Sequence, residues 1–260
     1  MFHSLSASEA RPVKFLPYPT RNAVMLLGQL LPDSSLQLVA PELAQEPPGT
    51  GPQGIMALLQ NMPVQRRRLQ PREFLFRAGQ PCHALFMVHA GLFKTCVLSE
   101  DGRERVTGFH LRGELLGIDS FDMPTYACDA IALDTCEVWE LPLSWLRGER
   151  GDLLPCITGM LAAEIRRDWR WMLALGTLSA EQRVVAFLLD LAARLQTLGY
   201  SAQHLLLRMT RADLGSFLAL QLETVTRALS HLDAAGVIVV NRREIQIRDE
   251  ARLRSILACS

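Results

Sequence analysis

No net charge distinguishes this chain: 27 Lys and Arg offset 27 Asp and Glu. A bulk basic field that would draw the whole molecule onto a polyanion is therefore excluded. Cysteine is sparse as well. Cys82, Cys96, Cys128, Cys136, Cys156 and Cys259 form no C-x-x-C pair, and none precedes Cys82. A disulfide framework is excluded, and reduced thiols of a cytoplasmic protein are the expectation. There is no long apolar run. Near the N-terminus the longest, Ala23 to Leu31, is broken by Gly28 and Gln29 and preceded by Glu9. Neither a membrane span nor a signal-peptide layout is expected. No Ser/His/Asp set, paired carboxylates or phosphate-cradling glycine loop stands out, so no catalytic and no metal-ligating residue is nominated, and an enzyme is not expected.

What is present is apolar content for two modest domains: 49% of 260 residues. The charge is unevenly spread. Residues 178–260 hold ten Arg against eight Asp and Glu, and residues 1–177 hold seventeen Lys and Arg against nineteen Asp and Glu. Any affinity for a polyanion must come from local placement of cations. Residues 1–60 read as an N-terminal extension with candidate helices at Ala23–Leu31 and Ile55–Asn61, separated by the structure-resisting run Pro47–Pro52. From Glu73 the period is two. Strand-like segments fall at 73–77, 84–89, 92–98, 105–110, 130–133 and 137–141, punctuated by Ala78-Gly79, Ala90-Gly91, Asp101-Gly102 and Arg112-Gly113. Short strands at this spacing predict a barrel or sandwich over residues 61–150.

After Pro155 the period returns to that of a helix, for roughly six turns ending near Gly176. Leu161, Ile165, Asp168, Met172 and Leu175 recur at 4-3-4-3 spacing within residues 151–177. That is a coiled-coil seam and predicts a parallel homodimer. Asp168 would face its own copy, where two carboxylates repel and lose water; held at marginal stability, such a dimer could be switched by a small signal. The alternative is a splayed, solvated Asp168 paired with Arg167 or Arg170. Trp169 and Trp171 are expected to pack against the barrel.

Residues 178–253 carry the clearest pattern. Ser179-Ala-Glu-Gln182 is a capping box, and Thr210-Arg-Ala-Asp213 is a looser cap for a short helix. A turn leads to a second helix with two faces. At about 100° per residue, Leu222, Val225, Leu229 and Leu232 fall on one side, and Glu223, Thr226, Arg227 and Ser230 on the other. The second set offers the acceptor, hydroxyl and guanidinium groups that hydrogen-bond base edges in a major groove of double-stranded DNA. Val237–Val240 and Glu244–Ile247 flank Asn241-Arg242-Arg243 as a two-stranded wing. Arg211, Arg242 and Arg243 join the DNA-facing set. Residues 254–260 are a tail. The fold class is α+β: a jelly-roll barrel, a long dimerisation helix and a winged helix-turn-helix.

That order, with Val106–Asp119 and Glu223-Thr-Val-Thr-Arg227, resembles the Crp-Fnr family, and its fumarate-nitrate branch in particular, over residues 60–250. The resemblance implies a cyclic-nucleotide-binding-type barrel and a homodimeric transcription activator of a TTGAT–ATCAA-like palindrome, responding to oxygen or redox state. It also implies contacts to RNA polymerase through Thr107, Gly113 and Glu114. Glu223 would accept from a cytosine amino group and Arg227 would donate to guanine or phosphate. Thr226 replaces the branch's Ser. The branch's iron–sulfur cluster needs four thiolates, and residues 1–81 hold none; the matching barrel position is Trp139, with Cys136 three residues earlier. A cyclic nucleotide would need a cation for its phosphate, and residues 122–129 have none, although Glu114 stands in a Gly-Glu pair. No cofactor is predicted. A thiol switch at Cys82, beside His83, and haem ligation by His83, His89 or His110 stay open, as does a cyclic-nucleotide-type regulator with an altered ligand. Cys96, Cys128 and Cys136 read as barrel filling.

Overall fold

The computed structural model describes residues 52–100, 102–146 and 153–258. The expected helix at Ala23–Leu31 and the Pro47–Gly51 run lie outside them. A first helix, α1, spans Pro52–Gln60. Eight strands follow: β1 Gln65–Leu69, β2 Phe74–Phe76, β3 Ala84–Ala90, β4 Phe93–Leu98, β5 Glu104–His110, β6 Leu115–Leu116, β7 Asp129–Ala132 and β8 Cys136–Pro142. They form two antiparallel four-stranded sheets of order β1-β8-β3-β6 and β2-β7-β4-β5. Phe76, Phe86, Val88, Phe93, Leu116 and Val138 fill the space between the sheets.

β3 is buried on both faces. Phe86 and Val88 point into the barrel. Leu85 and Met87 meet Ile55 and Leu59 of α1 and Ile157 and Met160 of the long helix, α2 (Leu153–Thr177). Period two on a strand lets one segment serve two cores. Pro155 lies inside α2 rather than before it; in the first turn its missing N–H removes no helical bond. Gly91 closes the β3–β4 turn at φ +87°, and a Cβ there would lie 2.4 Å from the Cys136 sulfur, so only glycine fits.

The C-terminal part comprises α3 (Ala180–Thr197), β9 (His204–Leu206), α4 (Arg211–Leu218), α5 (Leu222–Ala234), β10 (Ile238–Asn241), β11 (Glu244–Ile247) and α6 (Glu250–Ala258). Ser179 caps α3 with both bonds of the capping box. The wing has a third strand, β9, which pairs with β11. One apolar cluster runs from Val184, Phe187 and Leu188 of α3 through Leu214, Val225, Leu229 and Ile245, and reaches Leu92, Val106 and Phe109 of the barrel.

Candidate nucleic-acid interface

Local chemistry shapes the α4–α5 unit. Thr210 Oγ1 accepts from the Asp213 N–H at 3.0 Å, and the Thr210 N–H donates back to the Asp213 carboxylate at 2.9 Å. This is a full capping box rather than the looser cap expected. α4 stops at Ala219, held at φ 53°, and the Leu220 N–H returns to the Gly215 carbonyl at 2.8 Å. A Cβ on Gly215 would stand 2.8 Å from the Leu220 carbonyl oxygen, so glycine is what lets the turn close this tightly. Arg183, from α3, donates to the Leu218 carbonyl at 3.2 Å and ties off the end of α4.

α5 then buries Val225, Ala228, Leu229 and Leu232 and exposes Glu223, Arg227 and Ser230. The two-faced reading holds except at Leu222, which is 45% exposed. As the first residue of α5 it overhangs the turn, and Ala228 takes the buried place instead. Thr226 is half-buried and its hydroxyl donates to the Leu222 carbonyl at 2.9 Å, which leaves its methyl and its oxygen lone pairs for a partner. Gln221, missed by the face argument, is the exposed N-cap of α5 and makes no side-chain cap bond. In a helix-turn-helix the N-terminal residues of the second helix are the ones that face base edges, and Gln221 stands at that end of α5. At the tip of the wing Asn241 pairs with Glu244. Arg242, at φ 55°, and Arg243 form the two-residue loop, and both are exposed. Arg211, at the first position of α4, is half-buried.

Residues 66–148 match the cyclic nucleotide-binding domain, and residues 182–256 the Crp-like helix-turn-helix domain. The chain is 38% identical to the transcriptional activator protein anr of Pseudomonas aeruginosa over 72% of this chain and 78% of that protein. The chain belongs to the Crp-Fnr family of transcription regulators. The fumarate and nitrate reduction regulatory protein of Salmonella typhimurium is 32% identical over 76% of this chain and 80% of its own length. Among solved structures, FixK2 from Bradyrhizobium japonicum superposes with a TM-score of 0.68 at 30% identity, covering 75% of this chain and 98% of that one. This Crp-Fnr regulator therefore carries a DNA-binding helix-turn-helix and is not an enzyme. Among the described residues, no helix is long and apolar enough to cross a membrane.

The stripe expected to form a dimer seam lies on α2. Leu161 (36%), Ile165 (41%) and Met172 (52%) are exposed along one stripe, with Asp168 among them and Leu175 half-buried at its end. Leu154, one heptad before Leu161, extends the stripe and is exposed too. Burial pushes the Asp168 carboxyl above the usual aspartate range, against the pull of Arg167. Trp169 is a correction: it does not pack on the barrel but stands 61% exposed at the edge of the seam. Trp171 packs on Phe217 of α4 and Phe187 of α3, rings that also meet Phe109 of β5.

Barrel and reading domain are further joined by polar contacts. Lys94 of β4 donates to Asp213 at 2.8 Å and also pairs with Glu104. Burial disfavours its charge, but these two carboxylates outweigh it and raise its pKa. Ser216 of α4 accepts from the Val106 N–H at 3.0 Å.

The barrel residues named from the sequence divide. Thr107 is exposed, whereas Gly113 is buried. Glu114, expected to be a surface contact, is a second correction: its side chain is only 20% exposed and its oxygens accept from Arg194 and Arg167. Burial alone would raise its pKa; the two guanidiniums prevail and hold it down at about 2. Tyr126 is buried in the barrel, stacked on Phe76 at 3.9 Å with its hydroxyl donating to the Ala84 carbonyl at 2.8 Å. A half-open cleft of about 420 Å³ beside it includes Arg67 and Arg77. Both are held by the protein itself, Arg67 on the Leu75 carbonyl and Arg77 over the Phe74 ring.

The residues present do not fit an iron–sulfur cluster. No cysteine precedes Cys82. Burial raises the thiols of Cys96, to about 12, and of Cys128 and Cys136, and among the described residues no three Cys, His, Asp or Glu side chains are grouped to hold a metal. Trp139 is core and stacks on His89 at 4.5 Å. His110 is buried, its pKa lowered to about 3 by burial, with Nε2 3.1 Å from the Thr95 hydroxyl. His83 is exposed. Cys82 is half-buried beside the Tyr126 phenol, while Cys96, Cys128, Cys136 and Cys156 are buried.

Proposed function

We propose that this regulator is a cytoplasmic transcription activator of the anaerobic type. It binds a TTGAT–ATCAA-like palindrome as a homodimer, with Glu223, Thr226 and Arg227 on base edges. Ser230, Arg211, Arg242 and Arg243 hold the backbone, and barrel loops around Thr107 touch RNA polymerase. One observation carries the reading: α5 buries one face in its own domain and presents Glu223, Arg227 and Ser230 on the other. The relatives named as anaerobic regulators and activators support the oxygen or redox sense. Two copies paired along α2 would place two reading helices for half-sites one helical turn apart.

A gel-shift titration with the palindromic duplex tests it. Glu223→Ala and Arg227→Ala should each lose about 1–3 kcal/mol of binding and relax selectivity at the matching base. Equal affinity for the palindrome and a scrambled duplex would end the reading.

A second reading concerns the input. Cys82 is the half-exposed thiol among the described cysteines, so a thiol switch acts there, with DNA binding as the output and no resident cofactor required. Titration of the wild type and Cys82→Ser with peroxide should alter DNA affinity only in the wild type. Unchanged affinity in both would remove the thiol input. An absorption spectrum of anaerobically purified protein tests haem at the same time.

A further inference from the structure

We propose that Glu114 is a positioning residue for DNA binding: its carboxylate ties the reading domain to the dimer helix and so sets the separation of the two reading helices. The inference rests on the dimeric DNA-binding reading above and names the strut that makes it work.

The geometry is that of a three-way joint. Glu114 sits on the corner between β5 and β6. Arg194 of α3 donates from Nη2 to both of its oxygens, at 2.8 and 2.9 Å, and from Nε at 3.2 Å. Arg167 of α2 donates from Nη1 at 2.9 Å. One side chain of the barrel thus engages the seam helix and the reading domain at once. Arg167 is the immediate neighbour of Asp168 in the seam. Arg194 is carried by α3, whose buried face forms one core with α5. Between α2 and α3 the chain offers only Leu178 and Ser179, and the packing of Trp171 on Phe187 and Phe217 is the apolar counterpart of this polar joint.

The planar fork of an arginine fixes direction as well as distance. Arg194 is also anchored by a 2.6 Å bond from Nη2 to the Phe109 carbonyl and an approach of 3.5 Å to Asp190 on its own helix. The remaining charged neighbours are accounted for. Glu164 of α2 lies 3.8 Å from Arg167, and His110 Nδ1 lies 3.7 Å from Glu114. His110 is held neutral by burial. Glu114 is therefore the acceptor on which both guanidiniums converge. Without its charge Arg194 keeps the Phe109 carbonyl and Asp190, and Arg167 keeps Glu164, but the acceptor they share is lost.

Loss of positioning and loss of stability give different signatures. A destabilised protein binds every duplex more weakly by the same factor. A protein whose two heads are no longer held apart at one distance binds the natural spacing more weakly while tolerating altered spacings better.

The test measures dimer mass and fluorescence-anisotropy titrations of wild type and Glu114→Gln against three palindromes: the natural spacer, and the spacer lengthened or shortened by one base pair. Glu114→Gln should remain a dimer and lose about tenfold of the wild-type preference for the natural spacing. Glu114→Asp, which keeps the charge, should recover part of it. An unchanged spacing preference overturns the proposal, as does a uniform loss of affinity across all three duplexes. Should Glu114→Gln fail to fold, Arg194→Lys, which keeps the charge but not the fork, takes its place with the same expectation.

Hydrogen exchange without DNA separates this idea from the reading it rests on. If wild type ignores the palindrome, that reading fails. The joint is then judged by exchange in α3, which should quicken about tenfold in Glu114→Gln. Unchanged exchange overturns the joint whatever the DNA result.

Discussion

Asp168→Leu should tighten the pairing of two copies, because the stripe it interrupts is otherwise apolar. Leu161, Ile165 and Met172 are already partly covered in one protomer, at 36%, 41% and 52% exposure. A leucine among them has about half a side chain left to bury when a partner arrives, worth about 1–1.5 kcal/mol per chain. Over two chains that is about 2–3 kcal/mol, or roughly 30- to 150-fold in the dimer dissociation constant. Relief of charge adds to it. Burial already raises the Asp168 pKa in a single protomer, and a second carboxylate across the seam raises it further. The sign follows from that direction. Protonation is favoured in the dimer, so the wild-type dimer should tighten as pH falls through the raised Asp168 pKa, and Asp168→Leu should lack this dependence. Sedimentation equilibrium at pH 7 and pH 5 measures both effects. A leucine variant that dimerises no better than wild type would show that α2 does not pair along this stripe. The milder Asp168→Ala tests the switch: if dimerisation and DNA affinity both stayed the same, the residue would hold nothing at a threshold.

Gly215→Ala should lower the melting temperature and impair DNA binding together, since its Cβ would sit 2.8 Å from a backbone oxygen at a cost of about 1–3 kcal/mol; an unchanged melt would mean the turn can relax. Burial, reinforced by Asp168, Glu114 and Asp119 against the pull of Arg167, raises Glu164 from 4.5 to about 7. Its folded form therefore binds the proton more tightly than the unfolded chain, and stability should fall, by up to about 3 kcal/mol, as pH rises from 4.5 through 7; urea titrations of Glu164→Gln should show that slope flattened. Glu114 has the opposite sign: held at about 2, it contributes stability that is present above 4.5 and lost as pH falls from there towards 2, and Glu114→Gln should abolish that acid-side loss. Finally, Arg242→Ala removes one exposed cation from each protomer, so the slope of log affinity against log salt should become shallower by about 1.8 for the dimer; an unaltered slope would take the wing off the phosphate backbone.

The strands, the caps and the reading helix were legible because each has a local signature. Alternation marked β3, β4, β5, β7 and β8 to within a residue or two, and Ser179-Ala-Glu-Gln182 marked the start of α3. β1 was missed because Gln-Arg-Arg-Arg-Leu is an edge strand with four exposed residues and so shows no apolar alternation. β6 has two residues and β9 three, too few for a period. Leu222 was misplaced because a helical wheel assigns angles without asking whether a neighbour covers the helix end. Trp169 was misplaced by size alone, since a large ring at the margin of a seam can wait for a partner chain. Glu114 was the hardest case. A Gly-Glu pair at a corner reads as a surface turn, and the arginines that enclose it lie 53 and 80 residues away.

A chain with no net charge can bind DNA where its outward cations are well placed. Three of the 27 Lys and Arg are engaged inside the fold. Lys94 sits between Glu104 and Asp213, and Arg167 and Arg194 converge on Glu114. Each internal pair cancels in the total and fixes one part of the molecule against another. Arg227, Arg242 and Arg243 are exposed on the reading helix and the wing. What a polyanion meets includes that outward set, which pairing along α2 would double, with a strength that would depend on how accurately the two sets are spaced. A protein with a broad basic field could tolerate a loose joint. One that relies on a few placed arginines cannot, so the internal pairs and the outward cations belong to one mechanism: the first hold the geometry in which the second can act.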